Sequence, residues 1–445
     1  METRASRPVF AGVALGLLTF AVYIIGSNRS FGYDAAATFA NFVATPSLWD
    51  AFAVRTVIPT IPVVQVATND HVLVSLISHA IFSVSGSRSE VVYRFIPALA
   101  AGATVGLSTA VMSKRFGLLA GVSAGFYIAT DPMFADNSRD LRGYSLAALL
   151  AVIATLMLNP LPTRGEGRVG RTVYALVMGL AIAAQLFAGV VLLCHVAYVL
   201  TRKSRSAFVA MLPAWIVAAL IGLAGYVPIY YGQLSQHGMP ASQFYVTFPR
   251  DVVLFLVGAP FPLTMGLWLA AALLGLWTVR SAAWAWAAIA VVAVVVMIFW
   301  LALEPAYLYP RFFVFLVPGV AHLMASAIQR WRVVAPVVLL GAAYVGYGQV
   351  PTWIEDPLAL PQAGAAVERL HGEGKRVCVI HSDEQILTAY TSDFTVVTEA
   401  GQLGQCDAVV VVSWGVELDL RDEAAREFPH LTTLEAFYPA VVLMR

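Results

Sequence analysis

The chain has 445 residues, 59% of them hydrophobic and 12% charged, with a mean hydropathy of +0.77. Its apolar residues come in runs of roughly 15 to 23, which excludes an ordinary soluble domain and marks an α-helical polytopic membrane protein among membrane lipids. The formal charge of +1 is uninformative about nucleic acid, which is not expected as a partner, and three cysteines are too few for a disulfide framework.

The first apolar run, 10–26, follows Arg4 and Arg7 and imitates a signal peptide. It continues to Ile25 without a small-residue cleavage site, so it reads as a retained first span. Placing the two arginines on the cytoplasmic side puts Asp34, in Phe31-Gly32-Tyr33-Asp34, just outside the membrane. The segment 71–84 is too short to cross comfortably, and His71, Ser75, Ser78, His79 and Ser83 recur along one stripe. That pattern predicts a helix lying in the interface. The second span is then 91–111, and Lys114 and Arg115 are cytoplasmic.

Further spans are predicted at 118–130, 143–158, 172–201, 207–229, 262–279, 283–303, 312–328 and 333–348. The 172–201 run is long for one helix and is split near 185–189 into two short spans. Every basic cluster between spans then faces the cytoplasm: Arg164, Arg168 and Arg171; Arg202, Lys203 and Arg205; Arg280; Arg330 and Arg332. The outcome is about eleven spans, with the N-terminus cytoplasmic and the C-terminus external. The expected location is a bacterial inner or plasma membrane.

After the proline-punctuated stretch 351–361 the composition becomes that of a small soluble domain. Helices are expected at 362–371, 384–390 and 418–427, and strands at 376–381, 394–398, 408–413 and 440–444. This alternation argues for an extracytoplasmic α/β layer over 351–445, distinct from a transmembrane domain over 1–350 whose first external loop is 27–90. No Gly-rich phosphate fingerprint lies on it, so a nucleotide site is not expected. Cys378 and Cys406 fall here and leave a single bridge open, while Cys194 lies in an apolar run as a small buried hydrophobe.

The external loops concentrate the polar chemistry. One carries Asp131, Asp136, Asn137, Arg139, Asp140, Arg142 and Tyr144; another carries Glu304, Tyr307, Tyr309 and Arg311; the first contributes Asp34, Asn69, Asp70 and His71. Charge this dense at a bilayer edge is paired, functional or both. A lipid carrying an activated head group is a plausible reactant there. Moving a sugar from a polyprenyl phosphate needs a carboxylate to take the acceptor hydroxyl proton, worth roughly 10²- to 10⁴-fold. It also needs cations to hold the departing phosphate, for which the arginine fork is suited. The same inventory fits a transporter of an anionic substrate.

Several motifs share an order with a known family. These are Tyr93-Arg94-Phe95-Ile96-Pro97-Ala98-Leu99-Ala100, Lys114-Arg115-Phe116-Gly117, and Asp131-Pro132 followed by Ser138-Arg139-Asp140-Leu141-Arg142-Gly143-Tyr144. Together with Asn69-Asp70-His71-Val72-Leu73 and Arg311-Phe312-Phe313-Val314-Phe315-Leu316-Val317-Pro318, they resemble the GT-C glycosyltransferase superfamily. The nearest flavour is the protein O-mannosyltransferase, aminoarabinose transferase and rhizobial galacturonosyltransferase group. The resemblance spans roughly 10–350 and implies a GT-C fold with interfacial helices in the first external loop. It implies a polyprenyl-phosphate-sugar donor and Asp34 as the catalytic base, and nominates His71 for donor phosphate. The sequence departs from the family where Ala35 replaces the second acid of an Asp-Glu pair and where the proline after His71 is missing.

The expected activity is inverting transfer to a glycolipid or cell-envelope glycan on the external face. Asp34 is the expected base, with Arg311, His71, Arg139 and Arg142 on the donor phosphate and Asp136, Asn137, Asp140, Tyr144, Glu304 and Tyr307 as substrate-binding candidates. Each has a plainer reading: Asp34 as a helix N-cap, Arg139 and Arg142 in an intraloop ion-pair network, Arg311 as an interfacial anchor, and Tyr307 in the aromatic belt. His195 and His322 read as packing residues within spans. No His/Cys cluster has metal-ligand spacing, so no cofactor is expected and metal dependence is disfavoured, with the external carboxylates left as the alternative site for a divalent ion. The competing classes are a flippase of lipid-linked sugars, which would show inverted repeats that this sequence lacks, and a noncatalytic GT-C lipid-binding subunit.

Overall fold

Among the described residues, five helical segments are long and apolar enough to cross a membrane: Ser6–Ile25, Glu90–Phe116, Arg205–Ala224, Pro310–Arg330 and Val334–Pro351. The computed structural model describes residues 3–25, 30–53, 55–56, 66–67, 71–158, 167–229, 248–278, 310–354, 360–380, 387–391, 393–397, 404–412, 431–437 and 440–444. The predicted span 283–303 lies outside the described residues, as do Asn69, Asp70, His237, Glu304, Tyr307 and Tyr309.

Helix α1 (Thr3–Ile25) packs along α4 (Glu90–Phe116) through small residues. A Cβ on Gly12 would sit 2.5 Å from the Gly106 carbonyl oxygen, and one on Gly102 would sit 2.6 Å from that of Gly16. Lipid tails are as apolar as leucine, so close backbone approach replaces the hydrophobic effect as the source of helix association. The chain then turns back through α5 (Leu118–Thr130) and, after a short α6 (Pro132–Asn137), descends again as α7 (Tyr144–Leu158).

The long 172–201 run is broken where its sequence suggests. Helix α8 (Arg168–Ala184) ends at Gln185, whose backbone is extended and whose side-chain oxygen accepts from the Phe187 N–H. A 3-10 turn over Leu186–Ala188 leads into α9 (Gly189–Arg202). His195 on α9 is buried and hydrogen-bonded to Tyr174 of α8 at 2.8 Å and to Thr155 of α7 at 3.0 Å. It ties three helices together as a packing residue.

Helix α3 (Val72–Ser85) has 14 residues, too few to span. Most of its polar stripe packs against protein. Ser75, Ser78 and His79 are buried, and His79 Nδ1 lies 3.0 Å from the Val43 carbonyl, whereas Val84 is 91% exposed. Ser75, Ser78 and His79 pack against the rest of the first loop together with the apolar Val72 and Val74, while Ser83 and Val84 at the far end of the helix are exposed.

A short antiparallel pair, β1 (Arg55–Thr56) and β2 (Val66–Ala67), lies in the first loop. In the C-terminal region β3 (Val377–Ile380), β4 (Thr395–Val396), β5 (Ala408–Val412), β6 (Thr432–Phe437) and β7 (Ala440–Met444) form a mixed sheet in the order β4-β3-β5-β7-β6. Strands β3, β4 and β5 are parallel; β7 runs antiparallel to both β5 and β6. Helix Leu360–Gly372 covers one face with Ala363, Ala366, Val367 and Leu370. Strand β6 was not expected, because Thr432–Phe437 mixes polar and apolar residues and lacks the continuous apolar run that marks β5 and β7; it forms as the antiparallel partner of β7. Cys378 and Cys406 form a disulfide on the other face.

Candidate active site

Asp34 lies in the first turn of α2 (Tyr33–Thr38), a six-residue helix. Its N-cap is Gly32, so Asp34 is not the cap. Ala35 and Ala36 are buried with Phe31, Phe39, Val43 and Tyr93, which fixes which side of the helix is left for the carboxylate.

That carboxylate meets two guanidiniums. Its Oδ2 lies 2.7 Å from Arg311 and its Oδ1 lies 3.4 Å from Arg142. The side chain is 34% exposed, so the cluster is open to a ligand rather than sealed. Burial pushes the Asp34 pKa up, and the charges of Arg142 and Arg311 together outweigh it, leaving the carboxyl below its ordinary value and ionised at neutral pH.

The break between α8 and α9 brings the two arginines there. Ala184, freed at the helix end, presents its carbonyl to His71 Nδ1 at 3.0 Å. The same carbonyl lies against Gly143, where a Cβ would sit 2.0 Å from it. Only glycine lets the loop carrying Arg142 approach this closely. Phe187, in the broken turn, stacks on Phe312 with ring centroids 5.0 Å apart, and so fixes the 3-10 segment Pro310–Leu316, whose second residue is Arg311.

His71 is buried, with its ring edge-on to Tyr144 at 4.6 Å. Burial drives its pKa well below the ordinary value, and the positive charges of Arg142 and Arg311 act in the same direction. The ring is therefore neutral, with Nδ1–H donated to Ala184, and it frames the site without adding charge.

The second arginine of the Arg139/Arg142 pair has a different environment from the first. The Arg139 side chain is 0% exposed, donates from Nε to the Ala135 carbonyl at 3.2 Å and pairs with Asp136 at 2.7 Å. Asn137 donates to the Met133 carbonyl, and Asp140 accepts from the Leu141 N–H. Asp131 caps α6 by accepting from Phe134 N–H, and burial pushes its carboxyl up to about 8. Asp34, Arg142 and Arg311 thus converge, with His71 and Tyr144 beside them. Arg139, Asp136, Asn137 and Asp140 serve the local fold of their loop. Among the described residues no group of three or more His, Cys, Asp or Glu side chains could hold a metal ion.

No family model matches the chain, and no curated protein matches it in sequence. Solved structures match it in fold. ArnT from Cupriavidus metallidurans in the apo state superposes with a TM-score of 0.62 at 13% identity, covering 97% of both chains. The chain has the GT-C fold. The same ArnT bound to undecaprenyl phosphate gives a TM-score of 0.60 at 14% identity, again over 97% of both chains. The Archaeoglobus fulgidus oligosaccharyltransferase, in a complex with Zn and sulfate, gives 0.52 at 12% identity over 89% of this chain and 68% of its own. The GT-C architecture accounts for an integral membrane protein whose polar residues gather where loops meet helix ends.

Proposed function

We propose that this protein is an inverting glycosyltransferase that moves a sugar from a polyprenyl-phosphate donor to a glycolipid or cell-envelope glycan on the external face of the membrane. The observation that carries the reading is the convergence of one ionised carboxylate, Asp34, with two arginines from distant loops, Arg142 and Arg311. ArnT, similar in fold over nearly its whole length, has been seen with undecaprenyl phosphate bound, which supports a lipid phosphate as the ligand. The Cys378–Cys406 disulfide supports an oxidising compartment for the C-terminal domain, and hence an external face for the loops beside it.

In this reading the donor phosphate takes the guanidiniums from Asp34. The acceptor hydroxyl attacks the anomeric carbon from the face opposite the phosphate, and its proton passes to Asp34. The bond between the anomeric carbon and phosphate oxygen breaks with its electron pair leaving on the phosphate, which Arg311 and Arg142 hold as a polyprenyl phosphate anion. Arginine suits that task because its planar fork matches phosphate geometry. No metal is assigned a step.

The test is release of polyprenyl phosphate by the purified protein from undecaprenyl-phosphate-linked pentose, hexose and hexuronate donors, with and without chelator. Turnover with one donor, lost by roughly 10²-fold or more in Asp34→Asn, supports the reading. Full activity of Asp34→Asn removes the base assignment, and no release from any donor removes the enzyme assignment.

A further inference from the structure

The helix that carries Asp34 is poorly equipped to hold itself in place. It is six residues long, begins at a glycine that offers no side-chain cap, and continues into the wider turn Phe39–Val43. A helix this short is marginal by itself and takes its position from its neighbours. On the side away from the arginines those neighbours include the C-terminal domain. Ala389 and Leu360 are buried in one cluster with Phe31, Ala35, Ala36 and Phe39. The Phe31 N–H, directly ahead of the helix, donates to the Tyr390 hydroxyl at 2.6 Å, and the two rings lie 6.2 Å apart. Arg88, just before α4, donates to the carbonyls of Thr388 at 2.7 Å and Ala389 at 3.2 Å, holding the same segment from its other side.

Building on the transferase reading above, we propose that Tyr390 is a positioning residue for Asp34. Its hydroxyl, supplied by the C-terminal domain, fixes the start of α2 so that the carboxylate faces Arg142 and Arg311. The domain thereby completes the site without touching the reacting atoms. The hydroxyl is suited to this because burial and the nearby Glu90 carboxylate raise its pKa, so it stays neutral and available as an acceptor. Phe31 stands three positions before Asp34, with only Gly32 and Tyr33 between them, so a loosened Phe31 amide is felt directly at the carboxylate.

The experiment uses the full-length protein in nanodiscs, comparing Tyr390→Phe, which keeps the ring, with wild type. Amide hydrogen exchange over residues 31–40 is expected to speed up several-fold. Where a donor is turned over, kcat is expected to fall about tenfold while KM for the donor stays within twofold. Arg88→Ala, which frees the Thr388 and Ala389 carbonyls but also removes the guanidinium from over the Phe39 ring, is expected to move exchange in the same direction and serves only as a positive control for the exchange readout. Unchanged exchange over 31–40 in Tyr390→Phe overturns the proposal, as does a Tyr390→Phe kcat within twofold of wild type. Faster exchange together with a fully active Asp34→Asn leaves the positioning of α2 intact and overturns the catalytic reading instead.

Discussion

Asp34 and Arg311, from the loop after the first helix and the start of a late apolar helical segment, are joined by a 2.7 Å ion pair. In the absence of ligand the group proposed to take a proton is therefore neutralised by a group proposed to hold phosphate. One consequence concerns substitution of Arg311. A hydrogen bond between charged groups contributes about 1.5–3 kcal/mol, so Arg311→Gln is expected to lower kcat/KM for a polyprenyl-phosphate sugar by roughly ten- to a hundredfold. Arg311→Lys keeps the charge without the fork and is expected to fall between. Steady-state kinetics on the three proteins decide this, and a lysine variant equal to wild type would show that charge alone suffices.

The pH dependence follows from the same pair. Asp34 is held below its ordinary pKa, so its ion pairs stabilise the fold above the ordinary carboxylate range and are lost as pH falls through the lowered value. Removing either guanidinium raises that pKa. The acid limb of kcat/KM, which reports the free protein, is therefore expected to move to higher pH in Arg142→Gln and Arg311→Gln. Bound donor phosphate draws the guanidiniums away and adds a nearby anion, and both effects raise the Asp34 pKa. The acid limb of kcat is then expected above that of kcat/KM. Coincident limbs would mean that the arginines stay on Asp34 during turnover.

The broad architecture was legible because membrane spans write themselves in composition, and the break at Gln185 was legible because 30 apolar residues exceed one crossing. Asp34 and Arg311 could be nominated by their positions at span ends. What the sequence could not reveal was which of two arginines three positions apart points at Asp34. Arg139 and Arg142 sit in the same loop, and only the fold buries one against Ala135 and turns the other to Asp34. The polar stripe of α3 was legible as a short helix, but not the partners of its buried part: His79 bonds to the Val43 carbonyl, 36 positions away. Tyr390 carried no signal, since its contact with Phe31 joins residues 359 positions apart.

The separation of the two arginines is itself testable. Arg139 is fully buried and paired with Asp136, which is 57% exposed, so its removal empties a packed volume and leaves its partners at Ala135 without a donor. Arg139→Ala is expected to cost stability on the order of 1–3 kcal/mol, seen as a lower melting temperature in detergent. Arg142→Ala is expected to shift melting far less and to reduce donor turnover more. A reversal of that order would place Arg139, not Arg142, in the site.

The disulfide gives a prediction independent of any substrate. Cys378 and Cys406 are separated by 28 positions, and closing a loop of that length removes unfolded-state entropy worth roughly 3–4 kcal/mol. Replacing both by serine is expected to lower the stability of the C-terminal sheet by up to that amount. Because Ala389 and Tyr390 lean on the Asp34 helix, a loosened domain is also expected to increase exchange over residues 31–40. Mass spectrometry of alkylated protein without reductant checks the bond, and free thiols at both positions in protein from its native membrane would remove it.

Gly143 offers the sharpest single-atom test of how the site is assembled. A methyl group there would meet the Ala184 carbonyl at 2.0 Å and its carbon at 2.8 Å, with His71 Nδ1 at 3.2 Å. The first two are backbone atoms at the end of α8, which cannot rotate aside as a side chain can. Gly143→Ala must therefore push the Arg142 loop away from the helix break, stretch the bond between His71 and Ala184, and draw Arg142 away from Asp34. Overpacking of this kind typically costs about 1–3 kcal/mol. The larger effect is expected in turnover, with kcat/KM for the donor falling about a hundredfold, since misplacement of about 1 Å is enough for that. Moving the methyl to Gly32, where nothing lies within 4 Å, separates the clash from a general effect of adding bulk near the site: Gly32→Ala is expected to change turnover far less. Equal losses at both positions would show that the close approach of Gly143 to Ala184 is not what places Arg142.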